Sequence, residues 1–292
     1  MLRILILGGS GMLGHQLWRH FSSRFPETYT TIRRTSSDYK NHGLLSSNNV
    51  IESVDARCFE FLKGVITGVH PDIILNCIGI TKRREEKDNT IDSIMLNSLL
   101  PHKVAEWGES LGAKIVNFST DCVFDGQLGN YTEGSQTSAE DLYGRTKALG
   151  EISGKGSLTI RSSFIGQELH NGTELFEWFL AQTGTVKGFR NAIYTGLTTI
   201  ELGRVVERLI VEYPECSGLY HVSSEPISKY ELLGLIREKF QLNIDIFPDN
   251  TFKCNRSLNS KKFRREFNYS PPSWEDMIDE LADDFKRRKD DF

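Results

Sequence analysis

A tyrosine and a lysine four residues apart are the residues of this sequence best suited to proton transfer. Tyr143 and Lys147 belong to the run YGRTK, which lies in a predicted helix. This spacing places the phenol and the ammonium on one helix face, one turn apart. A nearby ammonium favours the phenolate and lowers the tyrosine pKa from about 10, so the pair can exchange a proton near neutral pH. We therefore expect acid–base catalysis at this helix.

Hydroxyl groups are expected close to this pair. The run STDCVFDG at 119–126 contains Thr120 and follows a predicted buried strand. Proteins with a doubly wound parallel sheet bind their ligands at the carboxyl ends of the strands. The position of this run therefore places Thr120 at the ligand-binding edge of the predicted sheet.

The glycine-rich segment near the N-terminus has the residue types that bind a diphosphate. Its sequence GGSGMLG follows the first predicted strand and opens the first predicted helix. Glycines permit a tight turn and let backbone N–H groups and the helix N-terminus approach a pyrophosphate. This context predicts a dinucleotide site, and the alternative is a turn needed only for packing of the helix on the sheet. The residues expected to contact the cofactor are Gly8, Gly11, Met12, Leu13 and Gly14.

A pair of arginines indicates which dinucleotide this is. NAD enzymes place Asp or Glu at the end of the second strand, about 20 residues beyond the glycine loop, to bind the adenosine ribose. This chain has Arg33 and Arg34 there. Guanidinium groups pair with a 2′-phosphate, so the sequence favours NADP(H) as the cofactor over NAD. The alternative is a solvated basic loop.

Short apolar runs alternate with helix-length segments in the first half of the chain. Strands are predicted at 3–7, 29–32, 50–54, 72–77, 114–118 and 157–160, and helices at 12–24, 58–69, 90–111 and 141–152. This alternation predicts an α/β fold, a Rossmann-type doubly wound parallel sheet with helices on both faces. Further along, helices are predicted at 175–182, 200–213, 229–240 and 274–289, and a strand at 218–223. We expect an NADP-binding domain at 1–162 and, at 163–292, a smaller C-terminal α/β part that is mainly substrate-binding, with the chain free to cross back.

Composition excludes several classes of protein. The 292 residues are 38% hydrophobic, and 35 Lys and Arg against 39 Asp and Glu leave a net charge of −4. That balance gives no general attraction to nucleic acid or to an anionic membrane. The five cysteines are scattered without a CxxC pair, which favours reduced thiols and no metal site. Without a signal peptide or an apolar run of about 18 residues, a cytoplasmic protein is expected.

These motifs together make the chain resemble the extended short-chain dehydrogenase/reductase superfamily. More closely, it is similar to the dTDP-4-dehydrorhamnose reductase branch. The resemblance rests on the glycine loop, the runs at 119–126, 143–151 and 160–163, the segment GLYHVS at 218–223, and PPSWEDMIDEL at 271–281. They occur in the expected order over residues 2 to 282.

The resemblance implies a role for individual residues. Thr120 would hydrogen-bond the substrate carbonyl, Tyr143 would donate the proton, and Lys147 would tune Tyr143 and hold the nicotinamide ribose. The resemblance assigns four further residues to the cofactor. Asn97 would support the lysine, and the backbone at Ile78 and Gly79 would pass the cofactor. Asp55 would contact adenine or would be a solvated acid. Arg161 would contact the cofactor or pair with a buried acid, and the two alternatives remain open.

The substrate side departs from the patterns of the superfamily. Sugar-nucleotide dehydratases carry Thr-Asp-Glu, whereas this chain has Thr120, Asp121 and Cys122. A thiol is a poor substitute for a carboxylate in acid–base catalysis, so carbonyl reduction is favoured over dehydration. The reductases typically have Tyr at the position of Cys122, which leaves the sugar open. Candidate substrate contacts are Thr120, Asp121, Cys122, Lys82 in the basic loop at 81–84, and Arg190.

The resemblance implies reduction, with NADPH, of the 4-keto group of a nucleotide-diphospho-4-keto-6-deoxy-sugar in polysaccharide biosynthesis. Two alternatives stay open. One is a non-catalytic NADP-binding subunit, since the regulatory subunit of methionine adenosyltransferase resembles the same reductases. The other is a sugar-nucleotide epimerase that retains NAD. The oligomeric state also stays open, with a homodimer as the candidate.

Overall fold

Seven parallel strands form the centre of the computed structural model, which describes residues 1–82, 89–170 and 172–290. The strands are β1 (Ile4–Leu7), β2 (Thr28–Thr31), β3 (Val50–Ile51), β4 (Ile73–Asn76), β5 (Lys114–Ser119), β6 (Ser157–Arg161) and β10 (Gly218–His221). Their order across the sheet is β10-β6-β5-β4-β1-β2-β3. The strand order reverses between β1 and β4, as in doubly wound folds. The predicted Rossmann-type α/β fold is confirmed.

The first strand divides the core between the two faces of this sheet. All four side chains of β1 are fully buried. Ile4 and Ile6 belong to one apolar cluster, and Leu5 and Leu7 belong to the other. Successive residues of a strand point to opposite faces, so a run of four apolar residues suits a strand with helices on both sides.

Helices cover both faces of the sheet. In chain order, the α-helices of the described residues are α1 (Met12–Ser22), α2 (Phe59–Val69), α3 (Thr90–Ser93), α4 (Leu100–Leu111), α5 (Leu142–Leu149), α6 (Leu175–Leu180), α7 (Thr199–Val211), α8 (Lys229–Lys239), α9 (Lys261–Glu266) and α10 (Trp274–Asp290). Helices α3 and α4 are the two ends of the helix predicted at 90–111, and a π-helical turn at Ile94–Leu99 joins them. Among the helices of the described residues, none is both long and apolar enough to cross a membrane.

The C-terminal part contains strands that the apolar pattern did not predict. Strands β8 (Gly184–Tyr194) and β12 (Ile244–Asn255) are paired in parallel, and β11 (Ile227–Ser228) lies antiparallel to β8. Short strands β7 (Phe164–Ile165) and β9 (Leu197–Thr198) pair with each other. Strand β10, in contrast, pairs with β6, so the chain returns from the C-terminal part to the large sheet.

Candidate active site

A cavity of about 370 Å³ lies at the carboxyl ends of β1, β4 and β5. We call it the main cavity. Its walls include Gly11 of the glycine loop, Tyr143 of α5 and Tyr194 of β8, so both parts of the chain contribute to it. A second cavity of about 140 Å³, here called the adjoining cavity, shares with it Gly11 and the segment 77–80. The two cavities therefore meet at the glycine loop and the end of β4.

The glycine loop has a geometry that only small residues allow. Gly8 has a φ of +83°, a left-handed conformation that favours glycine. A Cβ at Gly14 would collide with the Gly8 carbonyl oxygen. Gly11 precedes α1, and among the described residues no side chain caps that helix and no acid lies in its first turn. The N-terminus of α1 thus offers backbone N–H groups and a positive dipole end, and it fits the pyrophosphate of a dinucleotide.

Tyr143 and Lys147 both line the main cavity from α5. Asp141 sets the start of this helix, because its carboxylate accepts a hydrogen bond from the Gly144 N–H at 2.8 Å. Lys147 is buried, and its Nζ donates to the Phe118 carbonyl oxygen at 2.6 Å. Burial lowers the pKa of Lys147 to about 8, although the nearby Glu151 carboxylate opposes this shift.

The expected lowering of the pKa of Tyr143 is not found in this structure. Burial raises the pKa of the phenol well above its ordinary value of about 10, and the nearby Cys122 and Asp121 raise it further. A hydrogen bond with Thr120 opposes the shift only in part. The phenol is therefore held in its protonated form at neutral pH, which suits a proton donor.

Asn97 lies in the π-helical turn, behind the backbone that passes the two cavities. Its Oδ1 accepts a hydrogen bond from the Ile80 N–H at 2.9 Å, and its Nδ2 donates to the Ile80 carbonyl oxygen at 3.0 Å. A Cβ at Gly79 would lie 3.1 Å from this Oδ1 and 3.9 Å from the Lys147 Nζ. Asn97 therefore supports the segment after β4, and its position beside Lys147 remains consistent with the predicted role. π-Helical turns often occur at functional sites.

The adjoining cavity collects the residues predicted to contact the adenosine end of the cofactor. Arg33, Arg34 and Asp55 all line it, together with Arg57 and Ile78. Hydrogen bonds from Arg57 hold the pKa of Asp55 below its ordinary value. Both predicted arginines are exposed on the wall of this cavity. A phosphate on the ribose would thus meet two guanidinium groups here.

The segment after β5 supplies three neighbouring groups to the main cavity. The Thr120 Oγ1 accepts a hydrogen bond from the Cys122 N–H at 3.1 Å and donates to the Asp121 carboxylate at 3.2 Å. Burial raises the pKa of Cys122 to about 12, so its thiol stays protonated. Asp121 is buried beside it. The cavity therefore holds a protonated thiol where the dehydratases carry a carboxylic acid.

The cations that face the main cavity differ from the predicted set. Lys82 lines it, forms an ion pair with Asp141 and lies 5.8 Å from the centre of the Tyr143 ring. Arg190 is exposed on β8 instead, and its guanidinium lies 5.0 Å over the ring of Tyr230, so the structure does not bring it to the cavity. Arg83 and Arg84, which belong to the predicted basic loop, lie outside the described residues.

Arg256 lines the main cavity in the place expected of Arg190. Its Nε donates to the Phe124 carbonyl oxygen at 2.8 Å, and one terminal nitrogen lies 3.8 Å from the Cys122 Sγ. No motif or spacing marks Arg256 in the sequence. Arg256 directly follows β12, and because β12 was not predicted as a strand, the sequence offers no reason to expect Arg256 near the site.

The sequence leaves open whether Arg161 contacts the cofactor or a buried acid, and in the structure its contacts are with the core. Its Nε and one terminal nitrogen donate to both oxygens of Glu151 at 2.6 and 2.7 Å. Its other terminal nitrogen lies 3.2 Å from the His221 ring, and its guanidinium lies over the Phe124 ring at 5.2 Å. Arg161 is thus a buried structural cation behind the site.

Comparison with known proteins agrees with this arrangement. The sequence profile of the RmlD substrate binding domain family matches residues 2–287. The chain belongs to this family. The resemblance to the dTDP-4-dehydrorhamnose reductase branch of the extended short-chain dehydrogenases/reductases is thereby confirmed, and with it the placement of the chain in an oxidoreductase family.

Relatives of this RmlD-family protein have more than one function. It is 25% identical to the spore coat polysaccharide biosynthesis protein SpsK of Bacillus subtilis, with 96% of each chain covered. It is 25% identical to the dTDP-4-dehydrorhamnose reductase of Salmonella typhimurium over 73% of this chain and 80% of the reductase. It is 24% identical to methionine adenosyltransferase 2 subunit beta of Rattus norvegicus over 82% of this chain and 72% of the subunit.

The fold also matches solved structures. The dTDP-4-dehydrorhamnose reductase of Bacillus anthracis, solved in complex with NADP, superimposes with a TM-score of 0.79 at 21% sequence identity. This superposition covers 97% of the present chain and 99% of the reductase. At this identity the likeness concerns the fold of the RmlD-family protein, and its chemistry has to be argued from its own residues.

Proposed function

We propose that this RmlD-family protein uses NADPH to reduce the 4-keto group of a nucleotide-diphospho-4-keto-6-deoxy-sugar. The observation that carries the proposal is the composition of the main cavity. Thr120, Tyr143 and Lys147 line it together with Gly11 of the glycine loop, so a proton donor and a dinucleotide site face the same space. The reductase among its relatives supports the choice of substrate class.

The side chains of the main cavity divide the chemistry between them. When bound, the reduced nicotinamide supplies a hydride to the carbonyl carbon. Tyr143 donates its phenolic proton to the carbonyl oxygen, and the high pKa of the phenol keeps that proton in place beforehand. Thr120 would turn its hydroxyl proton from Asp121 to the same oxygen as negative charge develops there. Lys147, with a pKa of about 8, can hold or release a proton beside the tyrosine near neutral pH.

The protonated thiol of Cys122 supports reduction over dehydration. Elimination of water from the sugar requires a carboxylate acid or base, and the pKa of Cys122 is raised to about 12 by burial. No proton is therefore removed by this group at neutral pH. Asp121, the buried neighbour, is left as a hydrogen-bond acceptor for sugar hydroxyls.

We propose Arg256 and Lys82 as the residues that bind the diphosphate of the substrate. Both residues line the main cavity, as Tyr143 does. The planar guanidinium of Arg256 suits bidentate binding of phosphate, and Lys82 adds a second positive charge near the phenol. Binding of the diphosphate would hold the sugar carbonyl close to Tyr143, which is how remote contacts accelerate a reaction.

The choice of NADPH over NADH rests on Arg33 and Arg34. Both are exposed in the adjoining cavity, which also contains Asp55. We expect the double substitution of both arginines by alanine to reduce the preference for NADPH by about 100-fold, as two exposed charge contacts are lost. The measurement is kcat/KM for NADPH and for NADH. An unchanged ratio would contradict the assignment.

The decisive experiment measures NADPH consumption at 340 nm with a panel of dTDP-, UDP- and GDP-4-keto-6-deoxy-sugars. Tyr143→Phe removes only the phenolic oxygen, so we expect turnover to fall by about 1000-fold while the affinity for NADPH stays within about twofold. Tyr29→Phe is the matched control, because Tyr29 lies on β2 and its hydroxyl bonds Glu27. Near-normal turnover of Tyr143→Phe would refute the assignment.

A second candidate is a non-catalytic subunit, which the likeness to methionine adenosyltransferase 2 subunit beta favours. It predicts NADP(H) binding without consumption by any sugar nucleotide of the panel. A retained-cofactor epimerase would instead purify with NAD bound and show no net oxidation of added NADPH. The presence of Thr120 and Tyr143 in one cavity with Lys147 supports catalysis over a pure binding role, since binding of the cofactor alone requires no proton donor at Tyr143 and no hydroxyl at Thr120.

A further inference from the structure

The C-terminal helix reaches the glycine loop through His15. His15 lies on α1, one turn beyond Gly11, and its side chain is fully buried. The His15 Nδ1 lies 2.9 Å from the Gly11 carbonyl oxygen, and one terminal nitrogen of Arg288 lies 3.0 Å from the His15 Nε2. Arg288 belongs to α10, far away in the sequence. The imidazole thus bridges the helix that ends the chain and the loop that begins the dinucleotide site.

The two partners determine which ring nitrogen carries the proton. A carbonyl oxygen only accepts hydrogen bonds, and a guanidinium only donates them. Nδ1 of His15 must therefore be the donor to Gly11, and Nε2 must be the acceptor from Arg288. Because Arg288 occupies Nε2, the ring is held in the neutral tautomer that donates to Gly11.

Arg288 is itself fixed by several partners. Its Nε donates to the Asp284 carboxylate at 2.8 Å, and its other terminal nitrogen donates to the Gln16 side-chain oxygen. Asp284 is buried, and its two carboxylate oxygens also accept hydrogen bonds from one terminal nitrogen of Arg19 on α1, at 3.1 and 3.0 Å. Burial beside Arg19 lowers the pKa of Arg288 to about 10, so the guanidinium remains charged at neutral pH.

Gly11 is the residue at which this contact reaches the cofactor site. It precedes the first turn of α1 and lines both cavities. The Gly11 carbonyl oxygen accepts from the backbone N–H of His15 at 2.9 Å as well as from its ring. A hydrogen bond from the ring therefore restrains the peptide group that must stay in place for backbone N–H groups to meet a pyrophosphate.

We propose that Arg288 and His15 are positioning residues for the dinucleotide, with Arg288 orienting His15 and His15 holding the Gly11 carbonyl. This inference rests on the proposed function only in that a nicotinamide dinucleotide binds at the glycine loop. It assigns to the C-terminal helix a part in cofactor affinity, in addition to its packing on the core through Met277, Ile278 and Leu281.

The test measures the dissociation constant of NADPH, and of NADH, by titration calorimetry on the full chain. Arg288→Met keeps an aliphatic side chain and removes the guanidinium, and we expect it to weaken NADPH binding about tenfold. The KM for NADPH should rise by the same factor while kcat at saturating NADPH stays near the wild-type value. A loss of folded protein would instead lower the number of binding sites and leave the affinity unchanged.

Arg287→Met is the matched control. Arg287 is the preceding residue of the same helix, its side chain is 70% exposed, and its ion pair with Asp284 is 3.9 Å long. We expect its NADPH affinity to equal that of the wild type. His15→Leu should weaken binding as much as Arg288→Met, and the double variant should be no weaker than either, because both substitutions break the same contact.

Each outcome decides the inference. Wild-type affinity in Arg288→Met, or additive losses in the double variant, would overturn it while leaving the proposed function intact. Absence of NADPH and NADH binding by the wild type would overturn both. Should Arg288→Met fail to fold, Arg288→Lys keeps the charge but lacks the planar fork, and we expect about threefold weaker binding from it. Unchanged affinity in that variant would also overturn the inference.

Discussion

The buried ammonium of Lys147 predicts an unusual dependence of stability on pH. Burial lowers the pKa of Lys147 from 10.5 to about 8 in the folded protein, and the unfolded chain regains the ordinary value. Below about pH 8 the lysine is charged in both states, and the folded state bears the whole cost of burying the charge. Between about pH 8 and about pH 10.5 the unfolded state binds more protons, so the stability of the fold rises with pH.

The size of this effect follows from the two pKa values. A fall from 10.5 to about 8 corresponds to about 3 kcal/mol of destabilisation at about pH 7. Because the folded state has lost most of the proton by about pH 9.5, about 2 kcal/mol of this cost is relieved there. A methionine at position 147 has no proton to lose. The wild type should therefore gain about 2 kcal/mol relative to Lys147→Met over this interval.

The assay is urea unfolding of both proteins, without nucleotide, at several values between about pH 7 and about pH 9.5. The quantity of interest is the difference between their free energies of unfolding, in which other titrating groups cancel. Lys103→Met is the control for the exchange of side chains, since Lys103 is a half-exposed lysine that donates a hydrogen bond to Glu106. A difference between wild type and Lys147→Met that varies by less than about 0.5 kcal/mol would refute the reasoning.

Two further substitutions test the structural basis of the site. Gly14→Ala places a Cβ against a backbone oxygen of the glycine loop, so we expect it to abolish detectable NADPH binding in calorimetry. Its control is Gly64→Ala, whose added Cβ meets no atom within 4 Å and which should leave NADPH binding unchanged. Glu151→Gln removes the charge that pairs with the buried arginine behind the site, and chemical denaturation should show a loss of about 3 kcal/mol. Its control, Glu106→Gln, breaks an exposed pair and should cost less than about 0.5 kcal/mol; equal losses would contradict the assigned burial.

Sequence patterns located the parts of the site that lie within single elements or at direct junctions. Tyr143 and Lys147 share one face of α5, and the glycine loop joins β1 directly to α1. Their relative positions follow from the 3.6-residue helical repeat and from the strand–turn–helix connection. The roles of Thr120, Tyr143 and Lys147 in catalysis remain predictions, and the cavity that they share is what the fold adds to them.

Strands β8 and β12 were missed because their patterns depend on each other. Along β8 the buried residues Val186, Gly188 and Ala192 are interleaved with exposed charged and polar ones. The partner segment lies about 60 residues away, where Ile246 is in register with Val186. A strand of this kind is stabilised by its partner and by cross-strand packing, which a local pattern does not contain.

The basic residues show the same limit at the level of single side chains. Arg190 is a candidate substrate contact in the sequence because a planar guanidinium suits a phosphate, but in the structure it stacks on Tyr230 away from the main cavity. Arg256 has no distinguishing motif, yet it donates a hydrogen bond to the Phe124 carbonyl oxygen and lies in the cavity wall. Which cation faces a ligand depends on strand register and on long-range contacts.

The order of the amino acids was enough to specify the Rossmann-type sheet, the glycine loop and the tyrosine–lysine pair, because each depends on neighbours in the chain. Only the packed fold decided that Arg161 pairs with Glu151, that burial raises the pKa of Tyr143, and that Arg288 reaches His15. The physical reason is that solvent exclusion and contacts between distant segments set the energy of a charge or a proton. These quantities exist only once the helices and strands have come together.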